Sequence, residues 1–276
     1  MITRCNYEHT CNYEHTRIPD MKLRLLMHTI TPRIILTIPY HYVKLFSHYR
    51  KKTMNAINII QFQFLCFLIP LSLLFTIAGS RWIKHLFLKA QGRDILSFPE
   101  QIEHRARFRQ PLLFSLLMLC IGKAWLNTTS SLLLFYVVLA IAFLSFITVT
   151  DFEQYVIFDA MLLPFAITGL CYTLHLHLPL GEHVSAALGG GFLFFLLAVI
   201  TKGAIGGGDI KLVAAMGLWF GYRSLLTVIM YGFLAGGAAA LLMLLTKQKQ
   251  RKSYFAYGPY FALTGIGILL GLFPFS

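Results

Sequence analysis

Charge is scarce in this chain. Only 13% of its 276 residues are Asp, Glu, Lys or Arg, against about a quarter in an ordinary soluble domain. By contrast 57% are hydrophobic, and the mean hydropathy is +0.67. The shortage excludes a disordered chain, which needs little hydrophobicity and much charge, and argues that most of the surface faces lipid rather than water. Acidic residues are scarcer still, 11 against 24 Lys and Arg for a formal net charge of +13. A basic excess alone would suit nucleic acid. Here the basic residues cluster between long apolar runs, which points to anionic phospholipid headgroups and away from nucleic acid. Cysteines number five, at 5, 11, 66, 120 and 171, with no C-x-x-C pair. No structural zinc site is expected, and Cys66, Cys120 and Cys171 are read as small apolar side chains within helices.

Long apolar runs are what the chain has in abundance. They cover approximately 59–79, 111–127, 131–150, 159–176, 184–201, 211–225, 226–245 and 258–274. A helix needs about 17–25 residues to cross roughly 30 Å of hydrocarbon, so the pattern predicts an all-α, polytopic transmembrane bundle of about eight helices. The 211–245 stretch is the least regular, because Gly217, Gly221 and Arg223 interrupt it. The glycines at 189–191, 232, 236 and 237 suit close helix packing in lipid. Three regions follow: a basic leader at 1–53, an N-terminal membrane region at 54–129 with a short basic loop, and a membrane core at 130–276. The leader carries a perfect tandem repeat, CNYEHT at 5–10 and 11–16. Two copies are too few for a solenoid, and Cys5, His9, Cys11 and His15 are weak candidates for metal ligands. The leader lacks the small-residue cleavage pattern of a secretory signal. It reads as a dispensable or mis-assigned extension, with Met54 an alternative start.

Orientation follows from the basic loops. Arg81, Lys84, Lys89, Arg93, Arg105, Arg107 and Arg109 lie in the 80–110 stretch, and Lys247, Lys249, Arg251 and Lys252 in the 246–253 stretch. Eight crossings put both on one side, which the excess of Lys and Arg makes cytoplasmic. His175, His177, Glu182, His183 and Arg223 fall on the other side.

Five acidic residues follow residue 110: Asp151, Glu153, Asp159, Glu182 and Asp209. Asp151 ends the run LAIAFLSFITVT, and Asp209 sits in IGGGDIKLVAAMG. An ionisable side chain near membrane depth is costly and draws attention as a functional group. In the eight-crossing arrangement both lie at the cytoplasmic mouth, where they can pair. Two adjacent carboxylates share a proton, which supplies a base to activate water and an acid to protonate a leaving amine. That is sufficient for peptide hydrolysis without a metal. The run Gly206, Gly207 and Gly208 reads as a flexible stretch admitting an extended substrate beside Asp209, or equally as a mere turn. The residues alone equally allow helix-end caps, headgroup contacts or an ion or proton path.

The strings themselves add a resemblance. DFEQYVIFD from Asp151 to Asp159 resembles the first aspartate motif of the type IV prepilin leader peptidases, and GGGDIKL from Gly206 to Leu212 resembles their second, the GxGD motif. Tyr257-Gly258-Pro259-Tyr260 is similar to the Gly-Pro segment that opens their last helix. The resemblance covers about residues 130–276. It implies a membrane aspartic peptidase of the bacterial inner membrane with Asp151 and Asp209 as the catalytic pair near the cytoplasmic face. Glu153, Asp159, Gly206, Gly207, Gly208, Lys211, Gly258 and Pro259 would be supporting residues. Glu153 and Asp159 are then orienting or electrostatic groups, although Asp159 would equally serve as a helix N-cap. Lys211 would hold the loop at the headgroup boundary or act on an aspartate. The implied substrates are prepilin or pseudopilin precursors, cut after the glycine ending a short basic leader.

The chain departs from that pattern in places. Long members of the family carry two C-x-x-C pairs in the first cytoplasmic loop and also methylate the new amino terminus with S-adenosylmethionine. The 80–110 stretch has no cysteine, so zinc is not expected there. Proteolysis requires no cofactor, and S-adenosylmethionine enters only if methylation is retained. Phe158 stands where proline is usual, which leaves the turn before the next helix less fixed. Glu153 replaces a common aspartate. Two other readings fit the acids: a proton- or ion-coupled transporter, and an inactive scaffold for pilus or secretion assembly.

Overall fold

Lipid offers backbone N–H and C=O groups no hydrogen-bond partner, so an apolar segment crossing it must satisfy them internally, as a helix does. The computed structural model describes residues 66–91, 96–203, 205–246 and 256–273, all within the compact unit Gln63–Ser276. The 1–53 leader with its CNYEHT repeat, Met54, Arg93, Lys247, Lys249, Arg251 and Lys252 lie outside the described residues.

No strand occurs among the described residues. Helix α1 spans Cys66–Ala90. After a single 3-10 turn at Pro99–Gln101 come α2 (Ile102–Ala106), α3 (Arg109–Asn127), α4 (Ser131–Gln154), α5 (Asp159–His175), α6 (Leu180–Ile200), α7 (Gly207–Leu245) and α8 (Gly258–Leu269). Among the described residues, five spans are long and apolar enough to cross a membrane: α1, α2 with α3, α4, α6 and α7. The chain is therefore a multi-pass helical membrane protein. Helices α5 and α8, with 17 and 12 residues, are shorter.

Helix α4 is the most buried of the five. Its sequence is apolar on every face, as a helix surrounded by other helices requires, and it packs on α3, α5 and α8. On its α1 side, Trp82 meets Phe143 and Phe146 edge-on at 6.3 and 6.2 Å. Helix α8 lies against both α4 and α7, and this places its first residues between the ends of those two helices. The most extensive helix contact among the described residues is α6 on α7. There Gly217 lies against the Ala187 backbone and Gly191 against Ala214, so small residues do bring backbones together. Gly189 and Gly237 face open space.

Two boundaries differ from the hydropathy pattern. The basic stretch does not begin a loop at residue 80, because α1 continues to Ala90. Ile83, Leu86, Phe87 and Ala90 are buried at helical spacing, while Arg81, Lys84 and Lys89 lie on the exposed face. The runs at 211–225 and 226–245 form one 39-residue element broken at Gly221, whose φ of 65° and ψ of −170° are not helical. Such backbone is open only to glycine at low cost. Just before the break, the Leu218 carbonyl accepts from Thr173 Oγ1 at 2.9 Å and lies 3.0 Å from His183 Nδ1. A carbonyl only accepts, so that contact places the His183 proton on Nδ1. Trp219 stacks between Phe165 and Tyr172 at 5.6 and 5.1 Å, and this ties α5 to α7.

Candidate active site

Asp151 is in the last turn of α4 and is 5% exposed. Asp209 is in the first turn of α7. Its local environment follows from helix-start chemistry. Gly206 is the N-cap, with φ −69° and ψ 146°, and the Asp209 carboxylate, three residues on, turns back toward the Gly206 backbone. This is the arrangement of the return half of a capping box. The macrodipole also favours a carboxylate at that end. Gly206–Gly208 is accordingly not the flexible stretch expected from composition, since Gly207 and Gly208 are helical. Gly208 is needed for space: a Cβ there would lie 3.0 Å from Ile157 Cβ. A Cβ on Gly207 would meet nothing within 4 Å.

The third wall is the start of α8. Pro259 sits in its first turn, where the missing N–H costs no hydrogen bond. The Gly258 backbone N–H faces the Asp151 carboxylate. A Cβ on Gly258 would lie 2.5 Å from Asp151 Oδ2 and 3.1 Å from Asp209 Oδ1. The two carboxylate oxygens border the same point and stand no farther apart than those two distances combined. No described residue donates a hydrogen bond to the buried Asp151 Oδ2. The two acids, 58 positions apart in sequence, thus meet at one end of the bundle, and a Cβ at 258 would have to displace one of these side chains.

The supporting acids have separate partners. Glu153 receives a two-pronged ion pair from Arg109: Nη2 to Oε2 at 2.5 Å, and Nε to Oε1 and Oε2 at 2.9 and 3.1 Å. Asp159 pairs with Lys211, whose Nζ is 2.8 Å from each carboxylate oxygen. The N-cap of α5 is Phe158, without a side-chain cap bond, so Asp159 is the first helical residue and not the cap. Lys211 reaches Asp159, not one of the paired acids. Phe158, in place of proline, has φ −82° and packs on the Phe87 ring at 5.7 Å.

Residues with no distinctive sequence signal complete the surroundings. Arg105 Nη1 donates to the Glu153 carbonyl at 2.8 Å, and its guanidinium lies 3.7 Å from the Phe98 ring centroid. The Gln154 side chain accepts the Phe98 N–H at 2.8 Å and donates to the Phe98 carbonyl at 3.0 Å. Arg105 and Arg109 looked like members of a headgroup-facing basic run, yet both engage the end of α4. A buried Glu153 calls for a cation, but nothing in the sequence singles out Arg109 among the seven basic residues of the 80–110 stretch.

Two cavities adjoin the Lys211–Asp159 pair. One, of about 340 Å³, is lined by residues including Lys89, Ile157, Asp159, Gly208 and Lys211. The second, of about 500 Å³, is an apolar groove between α5, α6 and α7, lined by residues including Leu162, Leu163, Ala187 and Ala214. They share Asp159 and Lys211. Among the described residues, no cluster of three or more His, Cys, Asp or Glu is arranged to hold a metal ion.

Comparison with known proteins agrees with the motif resemblance. The model of the Type IV leader peptidase family matches residues 138–241. Over 167 residues the chain is 29% identical to a prepilin leader peptidase/N-methyltransferase of Aeromonas salmonicida (strain A449), covering 58% of this chain and 55% of that one. Proteins of the same description from Neisseria gonorrhoeae and Bacillus subtilis (strain 168) are 32% and 34% identical over 160 and 148 residues. These matches cover 56% and 50% of this chain, and 52% and 58% of the relatives. The chain spans about half the length of the curated relatives it matches. No solved structure matches it.

Proposed function

We propose that the segment resembling the type IV leader peptidases is an endopeptidase that removes the basic leader from prepilin or pseudopilin precursors, with Asp151 and Asp209 as its catalytic pair. The observation that carries this reading is the convergence of both acids on the Gly258 backbone, with Asp151 Oδ2 and Asp209 Oδ1 bordering one point. In the proposed reaction, the ionised carboxylate takes a proton from water as the water oxygen bonds to the scissile carbonyl carbon. The protonated carboxyl donates to the carbonyl oxygen. Collapse of the tetrahedral adduct breaks the C–N bond: the first acid returns its proton to the departing amine, and the second carboxylate takes back a proton from an adduct hydroxyl, which restores the starting pair. One site thus supplies both a base and an acid, and the attacking nucleophile is water rather than a side chain.

The two adjoining cavities suit such a substrate. The apolar groove accommodates a membrane-embedded precursor helix, and the more polar cavity receives the extended chain beyond it. That cavity is bounded by Ile157 and Gly208, next to the acids. The Lys and Arg excess supports reading this end as the cytoplasmic face of a bacterial inner membrane. The proposal covers hydrolysis alone. The relatives' names include N-methyltransferase, and a mass measurement on the product's amino terminus tests whether methylation accompanies cleavage.

The test is cleavage of a prepilin-like precursor in proteoliposomes by wild type, Asp151→Asn and Asp209→Asn. Each substitution should reduce the rate at least about 100-fold while the protein remains folded and inserted. Normal cleavage by either variant would refute the paired mechanism.

A further inference from the structure

We infer that Arg109 is a positioning residue for Asp151, acting through Glu153, an inference that rests on the reading of Asp151 as one of the catalytic pair. Glu153 is two residues beyond Asp151, in the same last turn of α4. The side chains of Arg109 and Glu153 are 3% and 9% exposed, and the guanidinium meets both carboxylate oxygens. A fork already occupied by a carboxylate is not a free headgroup site, although Arg105, Arg109 and Glu153 border a cavity of about 420 Å³. The fork is a directional clamp, because charge-assisted, two-pronged hydrogen bonds fix orientation as well as distance.

The rest of the Ser97–Arg109 segment reinforces that clamp. The last carbonyls of a helix have no partner inside it. Here the Glu153 carbonyl takes Arg105 Nη1 at 2.8 Å and the Gln154 carbonyl takes the Ser97 N–H at 3.4 Å. Tyr155 ends the helix at φ 53° and donates its N–H to the Asp151 carbonyl at 2.9 Å. Left-handed backbone is unfavourable for a residue with a Cβ and needs support from its surroundings. The Tyr155 ring packs edge-on against Phe98 at 5.4 Å, while Phe98 is itself gripped by Gln154 and covered by Arg105. The turn carrying Asp151 is thus held from outside the bundle's apolar core, by a segment at least 42 residues earlier in the chain. Its rotation sets where Asp151 stands relative to Asp209 and Gly258.

A purely structural ion pair makes a different prediction. Replacing both members of a buried pair with apolar side chains of similar volume commonly preserves or raises stability, but it removes the directional hold. The experiment compares wild type, Arg109→Lys and the double variant Arg109→Met/Glu153→Leu in proteoliposomes. It measures the unfolding midpoint, kcat and KM for a prepilin-like precursor, and modification of Asp151 by a lipid-soluble carbodiimide mapped by peptide mass. The double variant should keep the wild-type midpoint and a KM within about twofold, while kcat falls roughly 10- to 100-fold, the scale of a small misplacement of a reacting group. Arg109→Lys, which keeps the charge and loses the fork, should fall between. Asp151 labelling should rise severalfold in the double variant, with Asp209 labelling unchanged. A double variant with a normal midpoint, normal kcat and normal labelling overturns the inference, as does a loss confined to KM. If wild type cleaves nothing, the peptidase reading fails, and the labelling comparison alone decides whether Arg109 positions Asp151.

Discussion

Two ion pairs flank the paired acids, built from the same kinds of group at similar distances and differing in their access to solvent. Arg109–Glu153 closes at 2.5 Å with side chains 3% and 9% exposed, and Lys211–Asp159 at 2.8 Å with side chains 59% and 71% exposed. Separation does not rank them. For the buried pair, losing one partner strands an unsolvated charge. For the exposed pair, water and salt replace much of what is lost. The supporting acids therefore have different roles: Glu153 belongs to the framework that holds Asp151, and Asp159 belongs to the rim where two cavities meet.

The sharpest challenge to this contrast is the single substitution Arg109→Met. It should lower the unfolding free energy in detergent by about 3–5 kcal/mol, with most of that recovered on adding Glu153→Leu. A loss below about 1 kcal/mol would put the two pairs on the same footing. Gly258→Ala is expected to come next. Its methyl carbon would intrude 2.5 Å from Asp151 Oδ2, costing about 1–3 kcal/mol as an overpacked site. Cleavage should fall more than stability, because the wedge forces the acids apart. An active Gly258→Ala would show that the acids need not approach so closely. Lys211→Ala should have the smallest effect, within about 1 kcal/mol and shrinking further at high ionic strength. A larger or salt-insensitive loss would mean that the pair is shielded from water.

The helical bundle was legible because runs such as LAIAFLSFITVT are apolar on every face, and the acids because so few interrupt those runs. Average hydropathy misplaced the end of α1, since Arg81, Lys84 and Lys89 lower the mean while Ile83, Leu86, Phe87 and Ala90 keep the helix seated at i, i+3, i+4 and i+7 spacing. It also misjudged Gly206–Gly208. Glycine suggests freedom, but here Gly206 is the N-cap and the helix starts through Gly207 and Gly208 with Asp209 in its first turn. The link from Arg109 to Glu153 spans 44 positions and leaves no periodic trace. Only the folded chain shows which of the many basic side chains turns inward. Gly258 was legible as part of a motif, and its physical reason emerged only from the Cβ position it leaves empty between two carboxylates.

The central claim is that Asp151 and Asp209 act as one unit on one water. A double-mutant cycle on cleavage of a prepilin-like precursor in proteoliposomes tests it most directly, using Asp151→Asn, Asp209→Asn and the combined variant. Joint action predicts that the combined variant is no slower than either single one, because removing one member already disables the pair. Losses that multiply, with the combined variant slower by the product of the two single effects, would contradict it.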